Sequence, residues 1–244
     1  MQTEDLVKKY KICVSSSVIP FEKKAIKIWG VEKYSWPKDI FKHCIFFGMY
    51  HIGDYFHYLR HLGKNTIFWC GQDIKNLKKN RWLVRWLSKI DNYCENEIER
   101  IHLAELGIKA EIRPSFLEDV NDFPISFKPT DRPHVFISGR PEREIEYGFG
   151  LVNRLAIKCP EITFHIYGSN NPLDKIRINN VIYHGNVPEE QFNKEIKEYH
   201  CGLRTNDYDG LSEITAKSIL MGQYPITKIK YPEIDFYEDE YQLI

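Results

Sequence analysis

The sequence has no net charge, no long apolar run and no short repeat, and each absence excludes a class of protein. Lysine and arginine together number 34, as do aspartate and glutamate. No apolar segment approaches the roughly 20 residues of a membrane-spanning helix. Hydrophobic residues make up 43% of the chain and aromatic residues 14%, a composition that excludes collagen, coiled coils and disordered chains. We therefore expect a soluble protein of mixed α/β type.

The sequence also has no CxxC motif and no cysteine–histidine pair at zinc spacing. Its six cysteines are far apart, at Cys13, Cys44, Cys70, Cys94, Cys159 and Cys201. This pattern predicts reduced thiols and no structural metal. The first 18 residues carry acids and lysines where a signal peptide needs an apolar stretch. We therefore expect a cytoplasmic location.

Charge is distributed unevenly along the chain. Residues 1–114 hold 20 basic and 13 acidic side chains, a balance of +7, and residues 115–244 hold 14 and 21, a balance of −7. All five tryptophans lie in residues 1–114. A change of sign between halves indicates two domains with different partners, the basic one facing an anionic surface, although opposite charges can also simply help two halves to dock.

Strand-like and helix-like segments alternate through both halves, which is typical of parallel, doubly wound sheets. The predicted strands are residues 10–15, 43–48, 65–70, 134–138, 163–167, 181–185, 201–204 and, as the last, 224–227. The predicted helices are residues 54–62, 74–90, 92–106, 146–159, 189–199 and 212–221. Residues 115–133 contain three prolines and no sustained period, and we interpret them as a linker. The sequence therefore predicts two Rossmann-like domains, 1–114 and 134–244, that face a cleft.

Short glycine turns directly follow three predicted strands of the second half. They are Ser138-Gly139-Arg140, Gly168-Ser169 and Gly185-Asn186. A glycine lets a diphosphate approach the backbone closely, and an arginine beside it can bind phosphate through two hydrogen bonds. A single turn of this kind is commonly only a turn, whereas three in one half indicate a nucleotide site.

Residues 204–226 (RTNDYDGLSEITAKSILMGQYPI) carry the most informative pattern. An acid followed by Gly-Leu opens a predicted helix at Asp209-Gly210-Leu211-Ser212, and Gly222-Gln223-Tyr224-Pro225-Ile226 closes it. This segment resembles the donor-binding motif of GT-B-fold, GT4-like retaining glycosyltransferases. The glycine turns and His184-Gly185-Asn186-Val187 follow the same order as in that family, so the resemblance covers roughly residues 90–230.

The resemblance implies a compact GT-B-like enzyme that transfers a sugar from a nucleotide diphosphate sugar, most simply a UDP- or GDP-sugar, without a metal or other cofactor and with retention. It implies catalytic roles for Asp209 and Glu213. The implied donor-binding residues are Gly139, Arg140, Arg143, Gly168, Ser169, His184, Gly185, Asn186, Arg204, Gly210, Leu211, Ser212 and Lys217. Lys217 stands where the family has its second glutamate, and Glu213 lies one turn earlier.

Polar residues also follow the predicted strands of the first half, where an acceptor would bind. Gly48, Tyr50, Gly71 and Asp73 are the acceptor-side candidates. His51 and Asp54 could position an acceptor hydroxyl or the donor sugar and are catalytic candidates, although a lone histidine is more often structural.

Three alternatives remain open. Asp207-Tyr208-Asp209 spells the DxD motif with which metal-dependent GT-A transferases hold a divalent cation. Residues 75–90 form a basic stripe that could contact a membrane surface, a lipid-linked sugar, a glycan or DNA, as in a viral DNA-base glycosyltransferase, or could be an ordinary surface helix. A non-catalytic GT-B-like binding module, with Lys217 marking a lost donor site, is the alternative from a different class.

Overall fold

The computed structural model describes residues 10–78, 81–170, 177–231 and 234–243, and its chain divides into two units. The first unit comprises Met1–Asp119 together with Tyr208–Leu211, and the second comprises Val120–Asp207 together with Ser212–Ile244. Each unit contains one parallel sheet. The short segment Tyr208–Leu211 therefore belongs to the first unit, although it follows a strand of the second sheet in the chain.

The first sheet has six described strands. They are β1 (Tyr10–Val14), β2 (Glu32–Lys33), β3 (His43–Phe47), β4 (Asn65–Phe68), β5 (Asp91–Cys94) and β6 (Glu111–Ile112). The helices of this unit are α1 (Pro20–Trp29), α2 (Ile52–Arg60), α3 (Gln72–Leu77), α4 (Val84–Leu87) and α5 (Glu97–Glu105). The strand order is β2-β1-β3-β4-β5-β6, with every neighbouring pair parallel.

Both faces of the first sheet are covered, because successive side chains of a strand point to opposite faces. Phe46 packs in one core with Ile67 and Trp69, whereas Phe47 packs on the other side with Phe68. Burial on both faces explains why the central strands are continuous apolar runs rather than alternating ones. This sheet is therefore doubly wound.

The second sheet also has six described strands. They are β7 (His134–Ser138), β8 (Thr163–Tyr167), β9 (Val181–Gly185), β10 (Cys201–Arg204), β11 (Tyr224–Thr227) and β12 (Asp235–Phe236). Its helices are α6 (Phe149–Lys158), α7 (Glu189–Glu195) and α8 (Glu213–Leu220). The order β12-β11-β10-β7-β8-β9 is the 3-2-1-4-5-6 order of a Rossmann fold, read from the other edge. The predicted α/β class with two doubly wound sheets is confirmed.

The two faces of the second sheet are covered by different kinds of side chain. Ile137, Phe164, Ile166 and Leu203 pack in an apolar core with α6. Phe136 and the residues that share its face contact aromatic side chains instead, including the ring of Phe192 on α7. The first face supplies the ordinary hydrophobic core, and the second carries a cluster of aromatic and imidazole rings that includes Phe136, His165 and Tyr199.

The predicted helix over residues 92–106 is wrong in its first part. Residues Asp91–Cys94 form β5, which pairs with β4 and β6. The helix begins only after Asn96, whose side chain accepts a hydrogen bond from Glu99 N at 2.9 Å and so caps α5. Gly107 does follow the helix, in a left-handed conformation with φ of 84°.

The predicted continuous helix over residues 74–90 is also wrong in the part of the segment that the structure describes. Helix α3 ends at Leu77, a 3-10 turn covers Arg81–Leu83, and α4 follows it directly. Residues 79–80 lie outside the described residues. Asn92 donates hydrogen bonds to Leu87 O, at the end of α4, and to Ile90 O, beyond it, and so satisfies carbonyls at this helix end. Local side-chain hydrogen bonds therefore end the helix despite the amphipathic period.

Helix α1 and the two-residue strands β2 and β12 were not predicted. Helix α1 has Pro20 as its first residue and the left-handed Gly30 after its last, which are ordinary start and stop signals. Strand β12 follows residues 224–227, so β11 is not the last strand. Its two-residue length gives no period that a sequence pattern could reveal.

Candidate functional site

The strand order defines where a ligand would bind in the second unit. Ligands of open α/β sheets lie beyond the carboxyl ends of the strands, at the point where the strand order reverses. In this sheet the reversal lies between β7 and β10, which are hydrogen-bonded neighbours. The residues that follow these strands are Gly139-Arg140 and Thr205-Asn206.

The three predicted glycine turns are brought together at this edge. Gly139 N donates to Tyr167 O at 3.1 Å, Gly168 N donates to Gly185 O at 2.8 Å, and Gly185 N donates to Ser169 O at 3.1 Å. Gly168 has φ of 89°, and a Cβ there would overlap the Gly139 carbonyl. Glycine is therefore required by both backbone conformation and space.

Three arginines surround this edge, each in a different setting. Arg140 is exposed at the start of a 3-10 turn. Arg143 binds Glu146 through two hydrogen bonds, and this carboxylate raises the pKa of its guanidinium. The Arg204 guanidinium lies 4.9 Å from the ring centre of Tyr147. Arg140 therefore offers an exposed guanidinium directly beside a glycine turn.

Three polar residues lie close to the same turns, and sequence reasoning missed two of them, Thr205 and Asn206. Ser169, a predicted donor-binding residue, is buried, and its hydroxyl donates to Glu144 Oε1 at 2.7 Å. Thr205 donates to Tyr147 O at 2.7 Å. Asn206 is buried with no hydrogen-bond partner for its Oδ1 among the described residues. A buried carboxamide oxygen at a strand end is a candidate ligand contact, but its signal in the sequence was only its place after a strand.

Helix α8 begins at Glu213, two residues after the Gly-Leu motif. Ser212 is its N-cap and accepts from Thr215 N at 3.4 Å, so Glu213 is the first helical residue. The Glu213 carboxylate lies 3.7 Å from Lys217 Nζ.

Lys217 is placed inside the second unit, with only 1% of its surface exposed. Its ammonium donates to Asn193 Oδ1 at 2.9 Å. It also lies 5.4 Å from the ring centre of Phe123 and 5.3 Å from that of Phe192. These contacts supply a charge partner, a hydrogen bond and two π-faces, which together compensate the ammonium for its lost hydration.

Tyr208–Leu211 packs on the first unit through its backbone. Asn96 Nδ2 donates to Asp209 O at 2.8 Å and to Gly210 O at 3.2 Å. Leu211 N donates to Glu95 Oε2 at 2.8 Å. A Cβ at Gly210 would overlap this carboxylate, so only glycine fits. The acid–Gly–Leu motif is therefore held by residues that follow β5.

The same segment is held by its aromatic ring. Tyr208 stacks on His102 with 5.3 Å between ring centres, and Lys75 Nζ lies 4.2 Å from the Tyr208 ring centre. Asp207, the other acid of the DxD motif, forms an ion pair with Lys228 in the second unit. The two aspartates of this motif thus belong to different units.

Three buried carboxyl groups lie at the strand ends of the first unit. Burial raises the pKa of Asp73 to about 7, of Glu95 to about 7 and of Glu99 to about 10. Asp73 accepts hydrogen bonds from Met49 N, Cys70 N and Ile74 N. These hydrogen bonds therefore hold the loops after β3 and β4, the second of which ends with Gly71 at φ of 94°.

His51 and Asp54 lie at the strand-order reversal of the first sheet, between β1 and β3. His51 Nε2 lies 2.7 Å from Ser17 Oγ in a hydrogen bond. Asp54 Oδ2 accepts from Ser15 Oγ and from His51 N, each at 2.8 Å. The serines were not predicted, and only their place after β1 could have indicated them.

Gly48 and Tyr50 lie in the same loop as His51. Gly48 follows β3 with φ of 74°, and the Tyr50 hydroxyl donates to Cys70 O at 2.6 Å. Burial raises the pKa of Tyr50 far above its usual range. The predicted acceptor-side residues therefore come together around the ends of β1, β3 and β4, with Tyr50 fixed as a neutral donor to backbone.

Comparison with known proteins bears on the fold. No family model matches the sequence, and no curated protein matches it. Among solved structures, TarM is 14% identical, covers 82% of this chain and 46% of its own, with a TM-score of 0.61. Thermosynechococcus elongatus sucrose-phosphate synthase is 12% identical, with 91% and 64% covered and a TM-score of 0.64.

The Anabaena protein HepE, solved in complex with UDP and glucose, is 9% identical, with 97% of this chain and 88% of that chain covered and a TM-score of 0.63. The chain spans less than half the length of TarM. These likenesses show that the chain has the two-sheet α/β fold of GT-B glycosyltransferases. In the described part of the chain, no helix combines the length and the apolarity needed to cross a membrane.

Proposed function

We propose that this protein is a glycosyltransferase that uses a nucleoside diphosphate sugar as donor. The observation that carries the proposal is the joined set of glycine turns after β7, β8 and β9, with Arg140 exposed beside the first of them. Close backbone approach and a guanidinium are what a diphosphate requires. The fold shared with UDP-bound proteins such as HepE supports the same assignment.

We assign the donor to residues 134–244 and the acceptor to residues 1–114, with 115–133 as the connection. In the proposed reaction the bond from the anomeric carbon to the diphosphate oxygen breaks, and an acceptor oxygen bonds to that carbon. The acceptor proton passes to the departing diphosphate. Arg140 stabilises the charge that develops on this leaving group.

The finer features of this proposal follow the GT4-like motif order. We propose a UDP-sugar, since HepE was solved in complex with UDP, and transfer without a metal and with retention. Asp209 and Glu213 are assigned to sugar hydroxyls, and Arg143, Arg204, His184 and the glycine turns to the donor side.

The acceptor is proposed to be a hydroxyl-bearing glycan or lipid-linked sugar. A TarM structure with α-GlcNAc-glycerol and UDP is a precedent for a glycerol-linked sugar in this fold. Trp82 is 61% exposed and Trp86 56% exposed, next to Arg85 and Lys89 in the sequence, and this surface is proposed to contact anionic lipid. Co-sedimentation with anionic and neutral vesicles tests this contact. Duplex DNA, the alternative acceptor, is tested for binding in parallel.

All six cysteines are free thiols in the structure. We propose a reducing, cytoplasmic location, in which such thiols persist.

The donor proposal is tested by a thermal-shift panel of UDP-, GDP-, ADP- and CMP-sugars, with and without EDTA. We expect a shift with a UDP-sugar that is insensitive to EDTA and lost in Arg140→Ala. Arg132→Ala, an exposed arginine of the same unit, is the matched control and should keep the shift. A shift that requires metal would favour the DxD alternative.

A non-catalytic binding module is the second candidate. The contacts of Lys217 inside the second unit favour it, because the ammonium occupies the position of the family's second glutamate. Such a module would bind a glycan or polymer and hydrolyse or transfer no donor. Absence of a shift with every nucleotide sugar, in a folded wild-type protein, would support this candidate over the enzyme.

A further inference from the structure

Three histidines, one from each of three neighbouring strands, form a hydrogen-bonded ladder across the second sheet. His134 Nδ1 on β7 lies 2.8 Å from His165 Nε2 on β8, and His165 Nδ1 lies 2.9 Å from His184 Nε2 on β9. His184 Nδ1 in turn lies 3.4 Å from Glu195 Oε2 on α7. We name His134, His165, His184 and Glu195 the imidazole ladder.

The carboxylate at one end of the ladder determines which ring nitrogen of each histidine carries the proton. The Tyr167 hydroxyl donates to Glu195 at 2.5 Å and lowers the pKa of that carboxyl, so Glu195 is an anion that only accepts. His184 then carries its proton on Nδ1, next to the carboxylate, and its Nε2 accepts from His165 Nδ1. By the same rule His165 Nε2 accepts from His134 Nδ1. All three imidazoles are thereby neutral Nδ1–H tautomers.

The surroundings keep these rings uncharged. Tyr199 stacks on His165 with 4.1 Å between ring centres, and Tyr167 stacks on His184 with 4.3 Å. Burial lowers the pKa of His165 to about 3 and also lowers the pKa of His134 and of His184. The titratable groups that face the ladder are Tyr167 from β8, Glu195 from α7, and Tyr199 and His200 from the segment before β10.

The ladder ends where the donor turns begin. His184 directly precedes Gly185, whose amide and carbonyl are bound by Ser169 O and Gly168 N. Both ring nitrogens of His184 are engaged inside the unit, so the ring has no free nitrogen for a nucleotide. A proton added to Nε2 of His165 or of His184 would place two N–H groups against each other at one rung, because each rung already has one donor. One ring would then have to turn, and the backbone before Gly185 would follow.

We propose that His165 and His184 are positioning residues, which hold the turn at Gly185-Asn186 through the imidazole ladder and make donor binding lose strength when the ladder is protonated. This inference rests on the proposed function, which it deepens. The ladder acts on the donor only through the backbone. It adds no contact to the reacting atoms.

The first experiment measures UDP affinity of the full chain by calorimetry from pH 8 to pH 3.5 in wild type, His165→Phe and His57→Phe. Phenylalanine keeps the stack on Tyr199 and removes both ring nitrogens. His57 is an exposed histidine of the first unit and is the matched control. We expect His165→Phe to bind UDP about tenfold more weakly at pH 7.5, the value of about one lost hydrogen bond of a network. It should also lack the loss of affinity that wild type and His57→Phe share below pH 5.

The second experiment reads the tautomers directly by long-range proton–nitrogen NMR of the imidazoles. The expected spectrum shows Nδ1–H for His134, His165 and His184 at pH 7 and no protonation above pH 5. Glu195→Gln, which removes the anionic end at nearly constant volume, should abolish this uniform tautomer set. An Nε2–H in the wild-type ladder overturns the inference, as does wild-type UDP affinity in folded His165→Phe. If wild type binds no nucleotide, the proposed function fails while the NMR still decides the ladder's direction.

Discussion

Replacing Glu99 by glutamine is expected to stabilise the first unit. Glu99 is fully buried, Glu99 Oε2 accepts from Glu95 N at 2.6 Å, and Glu99 Oε1 has no hydrogen-bond partner among the described residues. Burial raises its pKa from 4.5 to about 10, so the folded chain holds it neutral at pH 7. Taking up this proton at pH 7 costs about 3 kcal/mol, from roughly 2.5 pKa units at 1.36 kcal/mol each.

Glutamine keeps the acceptor for Glu95 N and has no proton to take up. We therefore expect Glu99→Gln to raise the free energy of unfolding at pH 7 by about 1 to 3 kcal/mol. The sign of this pH dependence follows because the pKa of Glu99 is higher in the folded chain than in the unfolded chain. For such a group stability is highest below pH 4.5 and is lost as pH rises toward 10, and Glu95 and Asp73 act in the same direction up to about pH 7.

Urea unfolding followed by tryptophan fluorescence suits this prediction, because all five tryptophans lie in the first unit. Measured at pH 5, 7 and 8.5, wild type should lose stability as pH rises, with a shallower slope in Glu99→Gln. Glu97→Gln on the same helix is the control, since its ion pair with Arg100 is exposed to solvent and contributes little to stability. Wild-type stability that rises from pH 5 to 8.5, or a Glu99→Gln variant that loses stability at pH 7, would refute the reasoning.

Four further substitutions test the packing, three in the second unit and one, Gly53→Ala, in the first. Lys217→Met should leave the melting temperature unchanged or higher, because an apolar chain replaces a buried ammonium. Asn193→Leu should lower it, because it removes one hydrogen bond of that ammonium and leaves the charge buried. A large loss in Lys217→Met contradicts this. Gly168→Ala should lower the free energy of unfolding by about 2 kcal/mol or more in chemical denaturation, since its Cβ would overlap Gly139 O at positive φ. Gly53→Ala, which has open space around its Cβ, is the control and should raise the free energy of unfolding by about 0.5 to 1 kcal/mol.

The sequence predicted best those strands whose ends carry a local signal. Residues His134–Ser138 and Thr163–Tyr167 were predicted with their observed bounds, since a buried apolar run meets a glycine or a helix there. The helix predicted from residue 92 failed because a tyrosine and a cysteine of β5 fitted its period. Asn96 holds the cap signal, but only its hydrogen bond to Glu99 N shows that the helix starts there.

The residues of the candidate site also fall into those that a local sequence signal indicated and those that it did not. The glycine turns were found because each follows its own strand, and parallel strand ends meet at one edge. Glu95 and Asn96 were missed because they bind backbone atoms of Tyr208–Leu211, and a backbone partner leaves no pattern in either segment. The imidazole ladder was missed because it depends on the diagonal register of three strands.

The order of strands in the second sheet also dictates an order of assembly. Strands β7, β8 and β9 are consecutive in the chain and adjacent in the sheet, so they can pair through short loop closures. Strand β10 must instead return past β8 and β9 to the far side of β7. During synthesis from the amino terminus, the imidazole ladder and its Glu195 anchor are therefore complete before the strand that bounds the proposed donor crevice has been made. The edge proposed to bind the donor is then added to a half-sheet that already contains the ladder.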